Sequence, residues 1–156
     1  MAITINFEEK DIEDFLCDND NLESYLGLKF IKRQVKIDKF YIDILAYSKP
    51  EKCFYIIELK KDDLNSKAFV QALKYLRLMN RRYKYKHKFK MLLVGHDLSE
   101  ELYYNVEKYD IFGNSDYPFL YTLYHYTFNS GISFEYYDKY QFEIENKILN
   151  GEMENG

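Results

Sequence analysis

The chain has 156 residues, of which 47% are hydrophobic and 19% aromatic, and its net charge is −4. A chain of this length buries roughly two-thirds of its unfolded surface, so we expect a single domain over residues 1–150 and a short flexible tail at 151–156. No apolar run approaches the length of a membrane span, and no N-terminal basic region precedes an apolar stretch. The cysteines Cys17 and Cys53 lack metal-ligand spacing and are typical of thiols in a reducing compartment. We therefore expect a cytoplasmic protein without a membrane partner.

The first predicted element is a helix that ends near Asp18. Asn6 followed by Glu9 has the form of a capping box, in which two side chains satisfy free backbone groups at the start of a helix. The inner face of this helix is defined by three apolar residues, Ile12, Phe15 and Leu16. Glu8 and Glu9 lie at the two margins of that face, so periodicity cannot decide which of them reaches a site. Glu9 could also serve only as a capping residue.

Two β-type runs follow, Val35–Tyr47 and Cys53–Lys60, and a single proline-containing turn links them into a predicted antiparallel hairpin. If the turn is centred on residues 50–51, residues whose numbers add up to about 101 lie opposite each other. Asp43 and Glu58 meet this condition. Directly opposed residues have Cβ atoms roughly 4.5–5.5 Å apart, so the two carboxylates should lie side by side.

Strand alternation places Lys60 on the same face as Glu58 and turns Leu59 away. Two adjacent carboxylates repel each other unless a cation or a shared proton compensates. Oxygen ligands from Asp and Glu suit Mg²⁺ or Mn²⁺. A lysine beside such an ion can orient an attacking water or stabilise developing charge.

The alternative is a hairpin with a solvated acidic face, because Asp, Glu and Lys are mostly exposed in proteins. The residues around the pair favour the catalytic interpretation. Ile56, Ile57 and Leu59 make the second strand apolar on both faces, which indicates a central strand covered on each side. Charged residues in such a strand persist only when they are paired or metal-bound.

A second helix is predicted over about Ser66 to Tyr83, with Gln71, Tyr75 and Arg82 in a polar stripe beside its apolar face. Gln71 and Tyr75 could be polar residues at the boundary of the core, or they could line a site. Met91–Gly95 has the pattern of a short buried strand.

Three further elements are predicted toward the C-terminus. The residues from Asp97 to Glu100 can cap a helix over Glu100–Tyr109. Leu120–Phe128 and Ile132–Tyr137 have the pattern of a β-hairpin, and a short helix ends the chain. The whole order predicts an α/β fold with a mixed central sheet flanked by helices and an extra C-terminal β-hairpin.

Charge is distributed unevenly along the chain. Residues 74–90 contain eight Lys and Arg and no acidic residue, whereas residues 91–156 contain 12 acidic and 3 basic residues. Aromatic residues interleave with the cations, as in proteins that hold phosphates and stack on unpaired bases. The alternative is a solvated helix end whose cations complement the helix dipole. Since eight cations exceed what capping needs, we expect nucleic-acid contacts from Arg81, Arg82, Lys84, Lys86 and Lys88.

These motifs occur, in the same order, in a known family. From about Glu9 to about Ile111 the chain resembles the PD-(D/E)xK nucleases, most closely the nuclease domain of NucS/EndoMS-type mismatch endonucleases. Glu58-Leu59-Lys60 matches the E-L-K signature, Asp43 matches the catalytic Asp, and residues 71–75 match a Q-x-x-x-Y on the next helix. Arg33 falls where the family has a basic residue on its first strand, and Glu9 falls on the opening helix.

The resemblance implies a restriction-endonuclease-like domain that hydrolyses DNA phosphodiester bonds with Mg²⁺ or Mn²⁺. It implies that Asp43, Glu58 and Glu9 are metal ligands. It further implies that Lys60 and Gln71 assist the attacking water, and that Arg33 and Tyr75 contact nucleic acid. Phe40 departs from the usual Gly of the family, and Ile42 from the Pro of its name. The DNA-binding and dimerisation domain of NucS has no counterpart in the sequence, so the resemblance does not imply mismatch specificity.

Two other functions stay open from the sequence. One is a catalytically silent module that binds nucleic acid or a partner protein, for which the intact carboxylates and lysine are unexpected. The other is a ribonuclease, which the tyrosine-rich basic segment would accommodate. The sequence is also compatible with a homodimer.

Overall fold

The computed structural model describes residues 8–104, 123–124, 134, 139–149 and 151. The elements in these ranges are α1 (Glu9–Cys17), α2 (Asn21–Leu26), β1 (Lys29–Ile37), β2 (Phe40–Ser48), β3 (Cys53–Leu59), α3 (Ser66–Arg82), β4 (Phe89–Val94), α4 (Glu100–Tyr104), β5 (Leu123–Tyr124) and α5 (Lys139–Leu149). Among the described helices, none is long and apolar enough to cross a lipid bilayer.

The strands form one mixed sheet in the order β1-β2-β3-β4-β5. β1, β2 and β3 are antiparallel neighbours, whereas β3, β4 and β5 run parallel. Helix α3 connects β3 to β4 across one face of the sheet, as parallel neighbours require. This architecture confirms the predicted α/β fold with a mixed central sheet flanked by helices.

Alternation along β3 builds a core on each face of the sheet. Ile56 faces α3 and joins a cluster that we call the α3-side core, which includes Phe69 and Leu76. Ile57 faces the other way and joins the α1-side core, which includes Leu16. Both isoleucines are fully buried. The prediction of a central strand covered on both faces is therefore confirmed.

The predicted register of the hairpin is confirmed: Ile44 pairs with Ile57 and Leu45 with Ile56, so the numbers of paired residues add up to 101. The extent of the first run was predicted wrongly. Residues 35–47 form parts of two strands, because the chain reverses at Asp38, whose φ is +52°. Asp tolerates this left-handed conformation better than most residues, which makes it a common turn residue.

The N-terminal boundary also differs from the prediction. Helix α1 begins at Glu9 with Glu8 as its N-cap, and the backbone N–H of Glu8 donates to the carboxylate of Asp11 at 2.9 Å. The predicted partner Asn6 lies outside the described residues. Helix α2 was not predicted; it ends at Gly27, whose φ of +68° is the left-handed conformation that glycine adopts readily.

The later elements agree with the predictions as far as they are described. Helices α3 and α5 and strand β4 lie where the sequence pattern placed them, and α4 occupies the first part of the predicted helix. Residues 105–109 lie outside the described residues. Of the predicted C-terminal hairpin, only Leu123–Tyr124 is described as a strand, and it pairs with β4.

Two loops at the carboxyl ends of β3 and β4 are tied together. The backbone N–H of Lys60 donates to the carbonyl of Val94 at 2.8 Å, and that of Leu64 donates to the carbonyl of Asp97 at 2.7 Å. Gly95 makes this approach possible. A Cβ atom at Gly95 would lie 2.6 Å from Cγ of Leu64 and 3.1 Å from the backbone oxygen of Asp62. The close contact therefore fixes the backbone that carries Lys60.

We expect Gly95→Ala to lower the free energy of unfolding by about 1–3 kcal/mol, because the new methyl group overpacks the contact with Leu64. Urea unfolding of the wild type and the variant would measure this. The control is the same substitution in a Leu64→Ala background, where the obstructing side-chain atoms are gone. If Gly95→Ala is as destabilising there as in the wild type, the close contact is not the cause.

Candidate active site

Strands β2 and β3 part at the predicted carboxylate pair. Their ladder ends at Ile44 and Ile57. Beyond that point, side chains take over the hydrogen bonding: the backbone N–H of Asp43 donates to Oε1 of Glu58 at 3.3 Å, and the backbone N–H of Leu59 donates to Oδ2 of Asp43 at 2.8 Å. The two carboxylates therefore occupy the space between strands that backbone groups fill elsewhere in the hairpin.

The strand alternation changes at the same place. Ile42 packs in the α3-side core, whereas Ile44 packs in the α1-side core, although a regular strand would send both to one face. Between the neighbouring pairs of β1 and β2 lie Gln34 and Asp43, and Gln34 has a φ of +52°. This irregularity places Asp43 where its side chain lines an open cavity instead of joining either core.

Burial makes the ionised pair unfavourable in the absence of a cation. Glu58 is only 4% exposed. Burial, reinforced by the negative charge of Asp43, raises the pKa of Glu58 well above its ordinary value. Burial also raises the pKa of Asp43, although the hydrogen bond from Leu59 opposes the shift. Hard oxygen donors in a repelling pair are what a Mg²⁺ or Mn²⁺ ion compensates, so these residues fit the expected metal.

Lys60 is held beside the pair by a short chain of polar side chains. Its Nζ donates to Oε1 of Gln71 at 3.2 Å, and Nε2 of Gln71 donates to the hydroxyl of Tyr75 at 2.9 Å. The ring of Tyr75 packs against that of Phe40, with centroids 5.8 Å apart. Tyr75 was predicted to contact nucleic acid, but it is only 4% exposed. In this structure it supports Gln71 from inside the α3-side core.

Glu9 lies at the rim of the site, between two cavities. It lines a cavity of about 430 Å³ together with Asp43, and a second of about 390 Å³ together with Lys60 and Gln71. Its carboxylate accepts a hydrogen bond from the backbone N–H of Lys61 at 3.2 Å. Within the described ranges, no three Asp, Glu, His or Cys side chains converge closely enough to hold a metal. Glu9 as a third ligand therefore remains a prediction.

Glu13 is a component of the site that the sequence analysis missed. It is 6% exposed, lines the same cavity as Asp43, and accepts hydrogen bonds from Arg33 and Gln34. The signal was present in the sequence: Glu13 follows Glu9 by four residues, which places both on one side of α1.

The side chain of Arg33 lies on the α1 side of the same cavity. Its guanidinium also bonds to Asp14, at 2.6 Å. Two carboxylates, those of Glu13 and Asp14, thus compensate the charge that was predicted to contact nucleic acid.

Arg81, Arg82, Lys84, Lys86 and Lys88, which we call the basic cluster, lie at the other end of the sheet. Arg81 and Arg82 end α3, and the carbonyl of Lys88 accepts from the backbone N–H of Phe54, near the start of β3. Glu58 is four residues further along that strand, so at about 3.3 Å per residue the two positions are roughly 13 Å apart along the strand. The structure therefore does not bring Arg81, Arg82, Lys84, Lys86 and Lys88 to the carboxylates. Their binding to nucleic acid remains a prediction.

No protein-family model and no curated protein matches the sequence. Solved structures do match. A complex of EndoMS with double-stranded DNA aligns with a TM-score of 0.56 at 18% identity and covers 70% of this chain and 44% of its own. A repair endonuclease from Pyrococcus abyssi aligns with a TM-score of 0.55 at 19% identity, covering 77% of this chain and 48% of its own.

EndoMS in its apo form aligns with a TM-score of 0.52 at 19% identity, covering 69% of this chain and 45% of its own. The chain thus matches less than half the length of each of these structures. At this identity the likeness establishes a shared fold, and it confirms the expected similarity to endonuclease structures at that level.

We expect Asp43→Asn to abolish Mn²⁺ binding in calorimetry, because it leaves a single carboxylate at the point where the strands part. The amide oxygen can still accept from the Leu59 N–H, so the fold should be retained. Asp38→Asn is the matched control, since it removes a carboxylate from an exposed turn where Asn tolerates a positive φ. Unchanged Mn²⁺ affinity in Asp43→Asn would exclude a metal site at the pair.

We expect Glu58→Gln to raise the free energy of unfolding of the metal-free protein at pH 8, because glutamine removes the buried negative charge. The pKa of Glu58 is higher in the folded protein than its value of about 4.3 in the unfolded chain. The stabilising contribution of the protonated carboxyl is therefore fully present below the unfolded pKa and is lost as pH rises through the folded pKa. Glutamine imitates the protonated form. Urea unfolding at pH 4 and pH 8 in chelator measures the gain, which should be small at pH 4.

Glu51→Gln is a control of opposite sign. Burial pushes the pKa of Glu51 upward, but hydrogen bonds from Lys90, at 2.8 Å, and from Tyr55 outweigh it and lower the pKa. This variant should therefore lose stability at pH 8. A Glu58→Gln variant that is also destabilised at pH 8 would show that the ionised pair is not strained in the folded protein.

Proposed function

We propose that this protein is a metal-dependent endonuclease that hydrolyses phosphodiester bonds of DNA with Mg²⁺ or Mn²⁺. One observation carries the proposal: the buried carboxylate of Glu58 and the half-buried carboxylate of Asp43 interrupt a hydrogen-bonded strand ladder beside a positioned lysine. A hairpin that served only as structure would have no need of this arrangement, because burying two like charges is unfavourable.

The ion would be held by Asp43 and Glu58, with Glu9 as the predicted third ligand from the rim. When bound, such an ion polarises the phosphodiester and lowers the pKa of the attacking water. The cavity that Asp43 lines is open to solvent and is bounded in part by Glu9 and Glu13 of α1, so a substrate phosphate could reach Asp43 through it.

The protein's own groups would supply charge and orientation. Lys60 places a positive charge near both carboxylates, and it is restrained by Gln71, which Tyr75 restrains in turn. A preorganised ammonium stabilises negative charge that develops on the phosphate more effectively than mobile solvent does. Gln71, which lines the cavity beside Lys60, would help to position the attacking water.

The comparisons support DNA as the substrate. Two of the structural neighbours are described as EndoMS, one of them in complex with double-stranded DNA, and another as a repair endonuclease. A shared fold does not fix the pathway, since one fold serves many functions. The proposal is therefore DNA cleavage, without an assignment to repair, restriction or element defence.

The test is cleavage of end-labelled single-stranded, duplex, branched and mismatched DNA and of RNA, each with Mg²⁺, Mn²⁺ or chelator. We expect metal-dependent cleavage of at least one DNA substrate. Cleavage of RNA alone would identify a ribonuclease. Binding of Mn²⁺ and DNA without any cleavage would identify a silent binding module, and either result would overturn the proposal.

We expect Lys60→Ala to slow single-turnover cleavage by about 10²–10³-fold, the typical effect of removing a positioned electrostatic group, with little change in DNA affinity. Lys49→Ala is the matched control, because Lys49 is an exposed lysine at the opposite end of the same hairpin. A parallel fall of affinity and rate in Lys60→Ala would show that Lys60 only anchors phosphate.

A further inference from the structure

The outer face of α3 carries a line of cations along its whole length. Lys67, Lys74 and Arg81 recur every seven residues, so they are two turns apart and share one side of the helix. All three are exposed, and α3 contains no acidic residue. At 1.5 Å per residue the line is about 21 Å long.

This line joins the candidate active site to the basic cluster at the other end of the sheet. Lys67 lines the cavity that also contains Lys60 and Gln71, together with the acidic Asp62 and Asp63. Arg81 is followed directly by Arg82 and by the loop over residues 83–88, which carries three more lysines. A polyanion that leaves the cavity along α3 would meet cations at regular intervals.

The loop over residues 83–88 has a defined conformation. Lys84 and Tyr85 have φ values of +52° and +59°, which side chains other than glycine rarely adopt. Backbone N–H groups of Tyr85 and Lys86 donate to the carbonyls of Asn80 at 2.9 Å and of Tyr83 at 3.0 Å. The ring of Tyr83 packs on those of His87 and Phe89, with centroids 5.8 Å and 5.7 Å apart.

This conformation presents Tyr85 to solvent with 70% of its surface exposed. Lys84, Lys86 and Lys88 are exposed around it. An exposed aromatic ring among lysines is the arrangement with which proteins bind single strands: the ring stacks on an unpaired base, and the cations hold phosphates. Base pairs in an intact duplex are already stacked on their neighbours, so a ring of this kind favours an unpaired strand.

We propose that Lys67, Lys74, Arg81 and the loop over residues 83–88 form a track for a single strand of nucleic acid. The strand would leave the cavity that contains Lys60 and Gln71. The strand's phosphates would lie along α3, and one base would stack on Tyr85. The inference rests on the proposed function for the identity of the substrate, and it specifies a substrate with an unpaired arm.

The first experiment measures binding of fluorescent oligothymidylates by anisotropy in chelator, so that no cleavage occurs. The track variant is Lys67→Gln/Lys74→Gln/Arg81→Gln. The matched control is Lys29→Gln/Lys32→Gln/Lys36→Gln, which removes the same charge from exposed positions of the edge strand β1. Circular dichroism establishes that both variants are folded.

For the wild type and the control, affinity should rise with oligonucleotide length until the strand spans the line of cations and should then level off. The track variant should lose this rise. It should also show a slope of log K against log salt that is flatter by about two units, because each phosphate contact on a single strand contributes about 0.7. Equal slopes in the track and control variants would overturn the proposal.

The second experiment tests the stacking. Tyr85→Ala should weaken binding of a 12-nucleotide single strand by about fivefold or more, the equivalent of one stacked base, while Tyr85→Phe should bind like the wild type. Neither change should affect a blunt duplex. Equal losses for single strand and duplex, or no loss at all, would overturn the track. Because these measurements need no metal, a protein that binds through the track but cleaves nothing would refute the proposed function alone.

Discussion

The main constraint on the site is the point at which β2 and β3 stop pairing through backbone hydrogen bonds. Asp43 and Glu58 take over the hydrogen bonds that the ladder would make there, and Glu58 is buried and Asp43 half-buried as a result. Burial raises the pKa of both groups, so the metal-free protein carries an electrostatic strain that a divalent cation would relieve. In the proposed function, the stability of the metal-free protein and its affinity for the ion would be opposed at these two residues, as is common at functional sites.

The elements around the two carboxylates restrict how far their side chains can move. β3 is fixed between two strands and two cores, so Glu58 cannot move into solvent without breaking the sheet. Lys60 is fixed through its backbone by Val94 and through its side chain by Gln71. On the α1 side, the ion pairs of Arg33 with Glu13 and Asp14 hold the helix that carries Glu9. In the proposed reaction, a site held in this way would need little reorganisation when charge develops on the phosphate.

Acidic and basic side chains lie on different parts of the protein. Each of the two cavities at the carboxyl end of β3 is lined by three acidic and two basic residues. The cations of α3 extend from the second of these cavities to the opposite end of the sheet. The net charge of −4 hides this arrangement, because acidic residues after position 90 outnumber basic ones. In the proposed function, the protein has to hold a polyanion beside its own carboxylates, and an adjacent cationic surface would make that possible.

The sequence by itself determined the local features: the hairpin register, the doubly buried β3, helix α3 and the adjacency of Asp43 and Glu58 all follow from period and turn position, which are short-range properties. It could not decide where α1 lies over the sheet or how α3 packs on it, so it missed Glu13 and could not show that Tyr75 is buried or that Arg33 pairs with Glu13 and Asp14. Nor could it show that the basic cluster lies at the far end of the sheet from the carboxylates. Those outcomes depend on how β3, α3 and β4 pack together, and only the tertiary structure fixes distances between residues that are remote in sequence.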